Sequence, residues 1–229
     1  MAKQTYFVAG TDTDVGKTVA AAGLLAAANN QGLSTIGLKP IAAGCERTEE
    51  GLRNSDALLL QNTASINLPY EQVNPFSFEP PIAPHIAAIE ENRMLSADRI
   101  AALCRGALMQ PADFAIVEGA GGWRVPLSDR ETMANIPKQL KIPVIMVVGI
   151  KLGCINHALL TAESIARDGL RLAGWIANAV SPEMSCYKEN VATIATMLRA
   201  PLIAEIPFLE NPSPENVAQY IEIDKLQTL

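Results

Sequence analysis

Residues 5–18 constrain the fold more than any other stretch of the sequence. A short apolar run of strand-forming residues ends at Gly10, a polar turn follows, and Gly16-Lys17-Thr18 opens a long segment rich in alanine and leucine. This order of strand, glycine loop and helix is typical of a P-loop nucleotide-binding protein. Glycine lets backbone N–H groups close around a polyphosphate, and the N-terminus of the following helix adds partial positive charge.

The loop is one residue longer than usual. Five residues separate Gly10 from Gly16, where the usual pattern has four, so Thr11 stands where the first glycine would be. The alternative is a chance Gly-Lys-Thr at the start of an ordinary helix, but the strand before it and the helix after it favour nucleotide binding. Lys17 can then neutralise β- and γ-phosphate oxygens, and the Thr18 hydroxyl can hold Mg²⁺.

Apolar strands and helical segments alternate along the rest of the chain. We predict strands at 34–39, 113–118, 143–149, 172–178 and 201–207, and helices at 17–30, 96–109, 131–140, 156–167 and 185–198, with short helices from 56 and after 214. This alternation indicates an α/β fold of the P-loop type: a doubly wound, mostly parallel sheet with helices on both faces. Residues 44–54 are predicted to be a loop. Residues 69–84 contain five prolines and are predicted to be a surface excursion without regular helix.

Bulk composition narrows the class of protein. The chain has 229 residues, 49% of them hydrophobic, and is expected to form a single domain over residues 1–229. Its net charge of −6 argues against a nucleic-acid partner. No apolar run reaches the roughly 18 residues of a membrane span, and Met1 to Thr5 lead into a strand without a signal peptide. The four cysteines are widely spaced and form no C-x-x-C pair, which fits reduced thiols better than a disulfide framework or a zinc site. A cytoplasmic location is therefore expected.

Polar residues and glycines cluster where the predicted strands end, which is where ligands bind in such a sheet. Glu118 ends an apolar strand at a position where an acidic residue commonly helps to hold Mg²⁺, although a solvent-facing glutamate is the alternative. Gly119, Gly121 and Gly122 would let the backbone approach a phosphate or substrate closely. Lys39 is a candidate stabiliser of a transferring phosphoryl group, and an ordinary surface lysine is an equal alternative.

Two further strand-end or helix-start residues have less specific patterns. Asp56 is either a metal ligand or an acid at the positive end of a helix, and the residues alone favour the second interpretation. Asn156 opens a helix after Gly153, so this N-terminus either holds a carboxylate or is simply capped by the asparagine.

A series of short motifs runs along the whole chain in this order: Gly10-Thr-Asp-Thr-Asp-Val-Gly-Lys-Thr18, Lys39-Pro40, Asn54-Ser-Asp56, Pro84-His85, Val117-Glu-Gly-Ala-Gly-Gly122, Lys151-Leu-Gly-Cys-Ile-Asn-His157, Ala173-Gly-Trp-Ile-Ala-Asn178 and Glu205-Ile-Pro207. In content and order they resemble the motifs of the dethiobiotin synthetases of biotin biosynthesis. The first motif also accounts for the long loop. That family is similar to other P-loop proteins, including cobyrinate amidases and chromosome-partitioning ATPases, so the fold alone does not fix the function.

The resemblance implies a ligase that uses ATP and Mg²⁺. In the implied reaction, 7,8-diaminononanoate and CO₂ (or bicarbonate as its source) give a carbamate, whose oxygen attacks the γ-phosphate of ATP to form a carbamic–phosphoric anhydride. The second amine then displaces phosphate and closes the ring, giving dethiobiotin, ADP and phosphate.

The resemblance also implies a role for each matching residue. The implied catalytic residues are Lys39, Lys17 and Thr13, and the implied Mg²⁺ ligands are Thr18, Asp56 and Glu118. The implied ATP contacts are Asp14, Val15, Gly16, Lys17, Thr18, Val19, Asp56, Glu118, Gly119, Ala120, Gly121, Asn178, Ala179, Pro207, Phe208, Leu209 and Glu215. The implied substrate contacts are Lys39 and Ala43, together with Gly153, Cys154, Ile155 and Asn156 from the partner subunit of a homodimer.

Three positions depart from the family pattern. Ala43 stands where the family usually has Ser or Thr, and the loss of that hydroxyl contact is expected to weaken substrate binding by about 1 kcal/mol. Asp14 is one methylene shorter than the Glu of some relatives, and Ala179 lies where an acid sometimes follows the adenine-contacting Asn. None of the three is a residue that the resemblance implies to bind the metal or to neutralise the phosphates.

Two other functions remain as alternatives. A nucleotide-switched assembly protein of the partitioning type would use an additional lysine near the start of its phosphate loop, and residues 10–15 contain none. A glutamine-dependent amidase would carry a second domain with a cysteine nucleophile, for which this chain has no room. The sequence therefore favours the ligase.

Overall fold

A parallel sheet of six strands forms the centre of the molecule in the computed structural model, which describes residues 3–226. In spatial order the strands are β10 (Leu202–Ile206), β9 (Leu172–Ala179), β8 (Val144–Ile150), β1 (Gln4–Gly10), β7 (Phe114–Gly122) and β2 (Thr35–Leu38). Residues 1–2 and 227–229 lie outside the described part. The segment from Met1 to Thr5, in which no signal peptide is expected, therefore begins outside it.

Helices connect these strands, and two pairs of short strands lie outside the sheet. The helices are α1 (Lys17–Asn30), α2 (Ser55–Thr63), α3 (Tyr70–Val73), α4 (Pro84–Glu90), α5 (Ala97–Ala107), α6 (Asn135–Leu140), α7 (Cys154–Arg167), α8 (Tyr187–Met197) and α9 (Pro214–Ala218), with a 3₁₀ turn at Ile223–Lys225. The short pairs are β3 (Ile41–Ala42) with β6 (Phe76–Ser77), which are parallel, and β4 (Glu46–Thr48) with β5 (Gly51–Arg53), which are antiparallel.

The two faces of the sheet are covered by different helices, as alternate residues of β1 show. Val8 packs in the same apolar cluster as Leu24 of α1, whereas Phe7 packs with Ile100 of α5. Successive side chains of a strand point to opposite faces, so α1 and α5 lie on opposite sides of the sheet. The predicted α/β fold with a doubly wound parallel sheet is therefore confirmed.

Helix α1 is almost entirely buried, which explains its alanine content. It lies between the sheet and helices α2 and α9, and small side chains let all of them approach closely. At Gly23 an added Cβ would lie 2.3 Å from a methyl carbon of Val217 in α9. The helix that follows the glycine loop is therefore fixed in position by packing on several sides.

Several predicted boundaries are wrong. The predicted loop at 44–54 contains the β4–β5 hairpin, whose exposed residues lack the apolar alternation of a core strand. The proline-rich stretch 69–84 contains the short helix α3 and buries Phe76 and Phe78, so it is not a surface excursion. Helix α6 begins at residue 135, later than predicted, and α7 begins at residue 154, earlier than predicted.

The described residues contain no helix that is both long enough and apolar enough to cross a bilayer.

Candidate active site

A cleft of about 810 Å³ opens at the carboxyl ends of β1, β7 and β2. Its lining comes from the glycine loop and the start of α1, from the segments after β2 and β7, from α2, and from the proline-rich stretch. Of the residues singled out from the sequence, the cleft brings together Thr13, Asp14, Gly16, Lys17, Thr18, Val19, Lys39, Ala43, Asp56, Glu118, Ala120 and Gly121. Residues far apart in the chain thus meet at one edge of the sheet, as the sequence predicts.

The glycine loop presents an open helix N-terminus to this cleft. Gly16 occupies the N-cap position of α1 with a φ of 84°, and Asp14 has a φ of 56°. The first turn of α1 has no acidic residue, and no side chain in the described part of the protein caps it. The first N–H groups of a helix have no acceptor within the helix, and their partial positive charge attracts anions. The geometry therefore suits the binding of a phosphate group.

Lys17 lies over the loop with an unusually acidic ammonium group. Its Nζ donates to the carbonyl oxygen of Asp12 at 2.9 Å, and the carboxylate of Asp12 forms an ion pair with Lys151 at 3.3 Å. Burial, helped by the positive charge of Lys39, lowers the pKa of Lys17 to about 8. A phosphate anion would relieve both effects, because it would pair with the ammonium group.

Lys39 is buried between two carboxylates. Its ammonium group forms an ion pair with Glu118 and another with Asp56, at 3.3 Å, and donates to the carbonyl oxygen of Gly119 at 3.2 Å. Burial disfavours its charge, but the two carboxylates outweigh burial and raise the pKa of Lys39. The interpretation of Lys39 as an ordinary surface lysine is therefore wrong. Asp56 faces the cleft as well as starting α2, so it is more than a helix-start acid.

Glu118 is fully buried within β7 and uses only one of its carboxylate oxygens. Oε1 accepts a hydrogen bond from the Thr18 hydroxyl at 2.8 Å and pairs with Lys39. Oε2 is buried and accepts no hydrogen bond from any described residue. A solvent-facing glutamate is therefore excluded. A buried carboxylate oxygen without a partner is costly, and a cation beside it would remove that cost.

A hydrogen-bonded wall behind Lys39 was not predicted as part of the site. The Asn54 side chain accepts from the Ala57 N–H at 3.2 Å and so caps α2, which carries Asp56. The Tyr70 hydroxyl accepts from the Asn54 N–H at 2.8 Å and contacts Asn74 at 3.0 Å. Asn74 in turn donates to the carbonyl oxygen of Lys39 at 2.5 Å. The Pro84-His85 and Asn54-Ser-Asp56 motifs were the sequence signals that could have placed this region at the cleft.

Some residues singled out from the sequence lie outside the cleft. Asn178 contacts the back of the loop, donating to the carbonyl oxygen of Val15 at 3.0 Å. Ala179 ends β9, and Pro207 to Leu209 follow β10 at the same edge of the sheet. The carbonyl oxygen of Gly119 accepts a hydrogen bond from Lys39. Glu215 is exposed on the first turn of α9.

The residues predicted to bind the substrate carboxylate form the start of α7, where Gly153 and Asn156 are exposed and Cys154 is buried. Gly153 is the N-cap, with a φ of 93°, and Asn156 lies inside the helix and is not its cap. Gly153, Cys154, Ile155 and Asn156 do not line the cleft of the same subunit.

Comparison with solved structures agrees with this architecture. The septum site-determining protein MinD from Pyrococcus horikoshii, solved with Mg-ADP, superposes with a TM-score of 0.58 at 15% identity, covering 97% of this chain and 89% of that one. A ParA family ATPase from Chlorobium tepidum gives a TM-score of 0.56 at 12% identity, over 98% of this chain and 92% of that one. At such low identities these similarities concern the fold alone.

Comparison of sequences is more specific. A family profile described as an AAA domain matches residues 4–216. The ATP-dependent dethiobiotin synthetase BioD of Cellvibrio japonicus is 55% identical over 99% of both chains. Its counterpart in Pseudomonas aeruginosa is 54% identical over 96% of this chain and 97% of that one, and BioD 1 of Escherichia coli is 52% identical over 95% and 97%. The chain therefore belongs to the family of ATP-dependent dethiobiotin synthetases.

Proposed function

We propose that this chain closes the ureido ring of dethiobiotin from 7,8-diaminononanoate, CO₂ and ATP, and so acts as a ligase in biotin biosynthesis. The observation that carries the proposal is the pairing of Lys39 with Glu118 and Asp56 beside the open N-terminus of α1. This arrangement puts a second buried cation next to a phosphate-binding loop. A transferring phosphoryl group on one side and a carbamate on the other would both be stabilised by it.

In the proposed sequence one amine of the diamine adds to CO₂ and gives a carbamate. A carbamate oxygen attacks the γ-phosphorus of ATP, ADP leaves, and a carbamic–phosphoric anhydride forms. The second amine then attacks the carbonyl carbon, phosphate leaves, and the ring closes. Lys17 would pair with β- and γ-phosphate oxygens and Lys39 with the carbamate, while Thr13 would line the loop near the reacting groups.

The residues around Glu118 fit Mg²⁺, which we propose as the cofactor. Thr18, Asp56 and Glu118 supply only oxygen ligands, and Oε2 of Glu118 is buried without a hydrogen-bond partner among residues 3–226. Mg²⁺ commonly binds one or two carboxylates together with substrate phosphates, which matches two acids beside a phosphate loop. When bound, Mg²⁺ supplies positive charge that polarises the phosphate oxygens.

We propose that the nucleotide extends from the loop toward the ends of β9 and β10. The nucleotide contacts on the loop side would be Asp14, Val15, Gly16 and Val19. Those beyond the loop would be Gly119, Ala120 and Gly121. Adenine would lie against Asn178, Ala179, Pro207, Phe208 and Leu209, with Glu215 near the ribose. The contact of Asn178 with the loop supports this direction. Ala43, which lines the cleft, would face the diamine.

We also propose a cytoplasmic homodimer whose subunits are single domains. The joining of β1 and β10 in one sheet supports a single domain, and four unpaired thiols support the reducing cytoplasm. The dimer is supported by the start of α7, which lies outside the cleft of its own subunit and has exposed residues at Gly153 and Asn156. Leu152 beside it is a large apolar side chain that is 97% exposed. Gly153 to Asn156 of the partner subunit would receive the substrate carboxylate.

The test of the function is phosphate release from Mg-ATP with 7,8-diaminononanoate and bicarbonate, omitting each component in turn. We expect release only when all are present, with one dethiobiotin formed for each phosphate. ATP turnover that does not depend on the diamine would contradict the ligase. A nucleotide-switched assembly protein would then explain the fold better.

Nucleotide affinity is expected to fall as the pH rises above about 8. The pKa of Lys17 is about 8 in the ligand-free protein, so at higher pH ATP must bind to a neutral amine or draw a proton to it. Linkage then predicts a loss of up to about tenfold in affinity per pH unit above this pKa. Calorimetric titration between about pH 7 and pH 9.5 measures the affinity for ATP. Adenosine lacks phosphates and serves as the control, because its affinity should stay constant over this range. ATP affinity that is flat over this range would contradict the placement of phosphate at Lys17.

Subunit mixing tests the proposed sharing of the site. Lys39→Met removes the cation in the cleft, and Asn156→Asp places a negative charge at the start of α7 where the substrate carboxylate would bind. We expect each homodimer to be nearly inactive. Random mixing makes half of the dimers heterodimers with one intact site, so about one quarter of the wild-type activity should return. If the start of α7 served its own subunit, mixing would restore nothing.

A further inference from the structure

A second cleft, of about 820 Å³, shares no lining residue with the candidate active site. It lies among β5, α3, β6 and α5, and we call it the arginine cleft after Arg53, Arg93 and Arg99, which line it. The catalytic proposal gives this cleft no role.

Aromatic rings hold the three guanidinium groups in place. The Cζ atom of Arg53 lies 4.2 Å from the ring centre of Tyr70, that of Arg93 lies 4.6 Å from the ring centre of Phe78, and that of Arg99 lies 5.5 Å from the ring centre of Phe76. A guanidinium group over a ring keeps its N–H donors free at its edges. Such contacts therefore orient the arginines without occupying their hydrogen-bonding capacity.

The donors in this cleft exceed the acceptors that the protein supplies. Arg99 makes no side-chain hydrogen bond or ion pair with any residue in the described part of the chain. Arg53 pairs with Glu50 at 3.4 Å and Glu71 at 3.6 Å, but these carboxylates are 80% and 74% exposed, so the pairs contribute little. Arg93 donates to the carbonyl oxygen of Ser77 at 2.9 Å and pairs with Glu91 at 3.3 Å, and Arg53 donates to the carbonyl oxygen of Leu52 at 3.1 Å.

The charge and the rim of the cleft indicate the class of ligand. Three arginines and one acid, Glu71, line it among the described residues. Glu50 and Glu91 also pair with Arg53 and Arg93, so Arg99 is the arginine of the cleft whose charge no described carboxylate pairs with. This unpaired charge lies in a chain of net charge −6, so it is a local feature. Met94 and Leu103 also line the cleft and are 83% and 43% exposed, which offers an apolar surface beside the cations.

We propose that the arginine cleft is a binding site for a phosphate monoester with a flat or apolar body. Guanidinium groups bind phosphate through paired hydrogen bonds, and Phe76, Met94 and Leu103 would contact the body of the ligand. The site is separate from the nucleotide pocket. Its floor is joined to that pocket through Tyr70 and Asn74, whose hydrogen bonds reach Asn54 and the backbone of Lys39.

Phenyl phosphate is the probe, and the methyl resonance of Met94 is the reporter. We record ¹³C-methyl spectra of the full chain labelled at methionine and assign Met94 from the Met94→Leu variant. We expect phenyl phosphate to shift this resonance saturably. Phenol should leave it unmoved, and inorganic phosphate should bind more weakly because it lacks the ring.

Variants locate the binding. Arg99→Gln removes a charged donor and is expected to weaken binding by about tenfold or more. Arg105→Gln, on the same helix but outside the cleft, should leave the affinity unchanged, and so should Gly16→Ala, which acts on the nucleotide loop. Leu103→Glu, which adds a negative charge at the rim, gives a second test if Arg99→Gln lowers stability. A Met94 resonance that does not move, or an affinity that survives both Arg99→Gln and Leu103→Glu, would overturn the proposal.

Discussion

Lys39→Met is expected to lower kcat by a factor of about 10² to 10³ while the affinity for ATP changes little. The reason is that Lys39 lies between Glu118 and Asp56, beyond the phosphate loop, where its charge would act on the developing transition state rather than on bound nucleotide. Methionine keeps the length and apolar stem of lysine and removes only the ammonium group. Steady-state phosphate release gives kcat, and calorimetry gives the affinity for ATP.

The same variant is expected to lose stability, because it leaves Glu118 buried without its cation. Removing one partner of a buried pair costs about 3–5 kcal/mol, which urea unfolding measures. The double variant Lys39→Met/Glu118→Gln carries no charge at either position of the pair and should recover most of that stability. Its kcat is not compared, because Glu118 is a proposed Mg²⁺ ligand. The matched control is Lys138→Met, at an exposed lysine that pairs with Asp168 at 3.5 Å, and it should change stability by less than about 1 kcal/mol.

The combination of these results separates two roles of Lys39. A variant that is less stable but keeps its kcat would mean that Lys39 serves only as the counter-ion of Glu118. A Lys39→Met variant that is folded under the assay conditions and loses kcat by the expected factor would place the ammonium group among the catalytic residues.

The central sheet could be predicted from the sequence because it depends on local patterns. Apolar runs that alternate with helical segments predicted all six strands, and the glycine loop marked where β1 ends and α1 begins. Parallel topology then placed Lys39 and Glu118 at the same edge of the sheet. Pattern and topology together therefore gave the fold and most of the candidate site.

The remaining features depend on contacts between residues far apart in the chain. Nothing local to Lys39 shows that its ammonium group is buried, because that burial comes from Glu118 of β7, 79 residues away. The wall formed by Asn54, Tyr70 and Asn74 depends in the same way on how α2 and α3 pack together. The β4–β5 hairpin was missed because its residues are exposed or half-buried and carry no apolar periodicity.

Gly16→Ala is expected to weaken ATP binding by about 100-fold or more. An alanine Cβ at this position would lie 2.2 Å from the side-chain nitrogen of Asn178, so the loop or the asparagine must move. Hydrogen bonds to charged groups contribute about 1.5–3 kcal/mol each, and losing two from the loop N–H groups to phosphate corresponds to the expected factor. Titration with ATP measures the loss.

Two controls separate the clash from backbone strain at Gly16. Gly32→Ala imposes similar strain, since Gly32 has a φ of 77° against 84° for Gly16, but an added Cβ there meets no atom of a described residue within 4 Å. It should cost about 1 kcal/mol of stability and leave ATP affinity unchanged. Gly16→Ala/Asn178→Gly removes the clashing side chain together with its proposed adenine contact, so its affinity is compared with that of Asn178→Gly alone. Equal affinities would assign the defect to the clash with Asn178, and weaker binding by the double variant would assign it to displaced loop N–H groups. If Gly16→Ala bound ATP as Gly32→Ala does, the phosphates would have to lie away from this loop, and the proposed nucleotide site would be wrong.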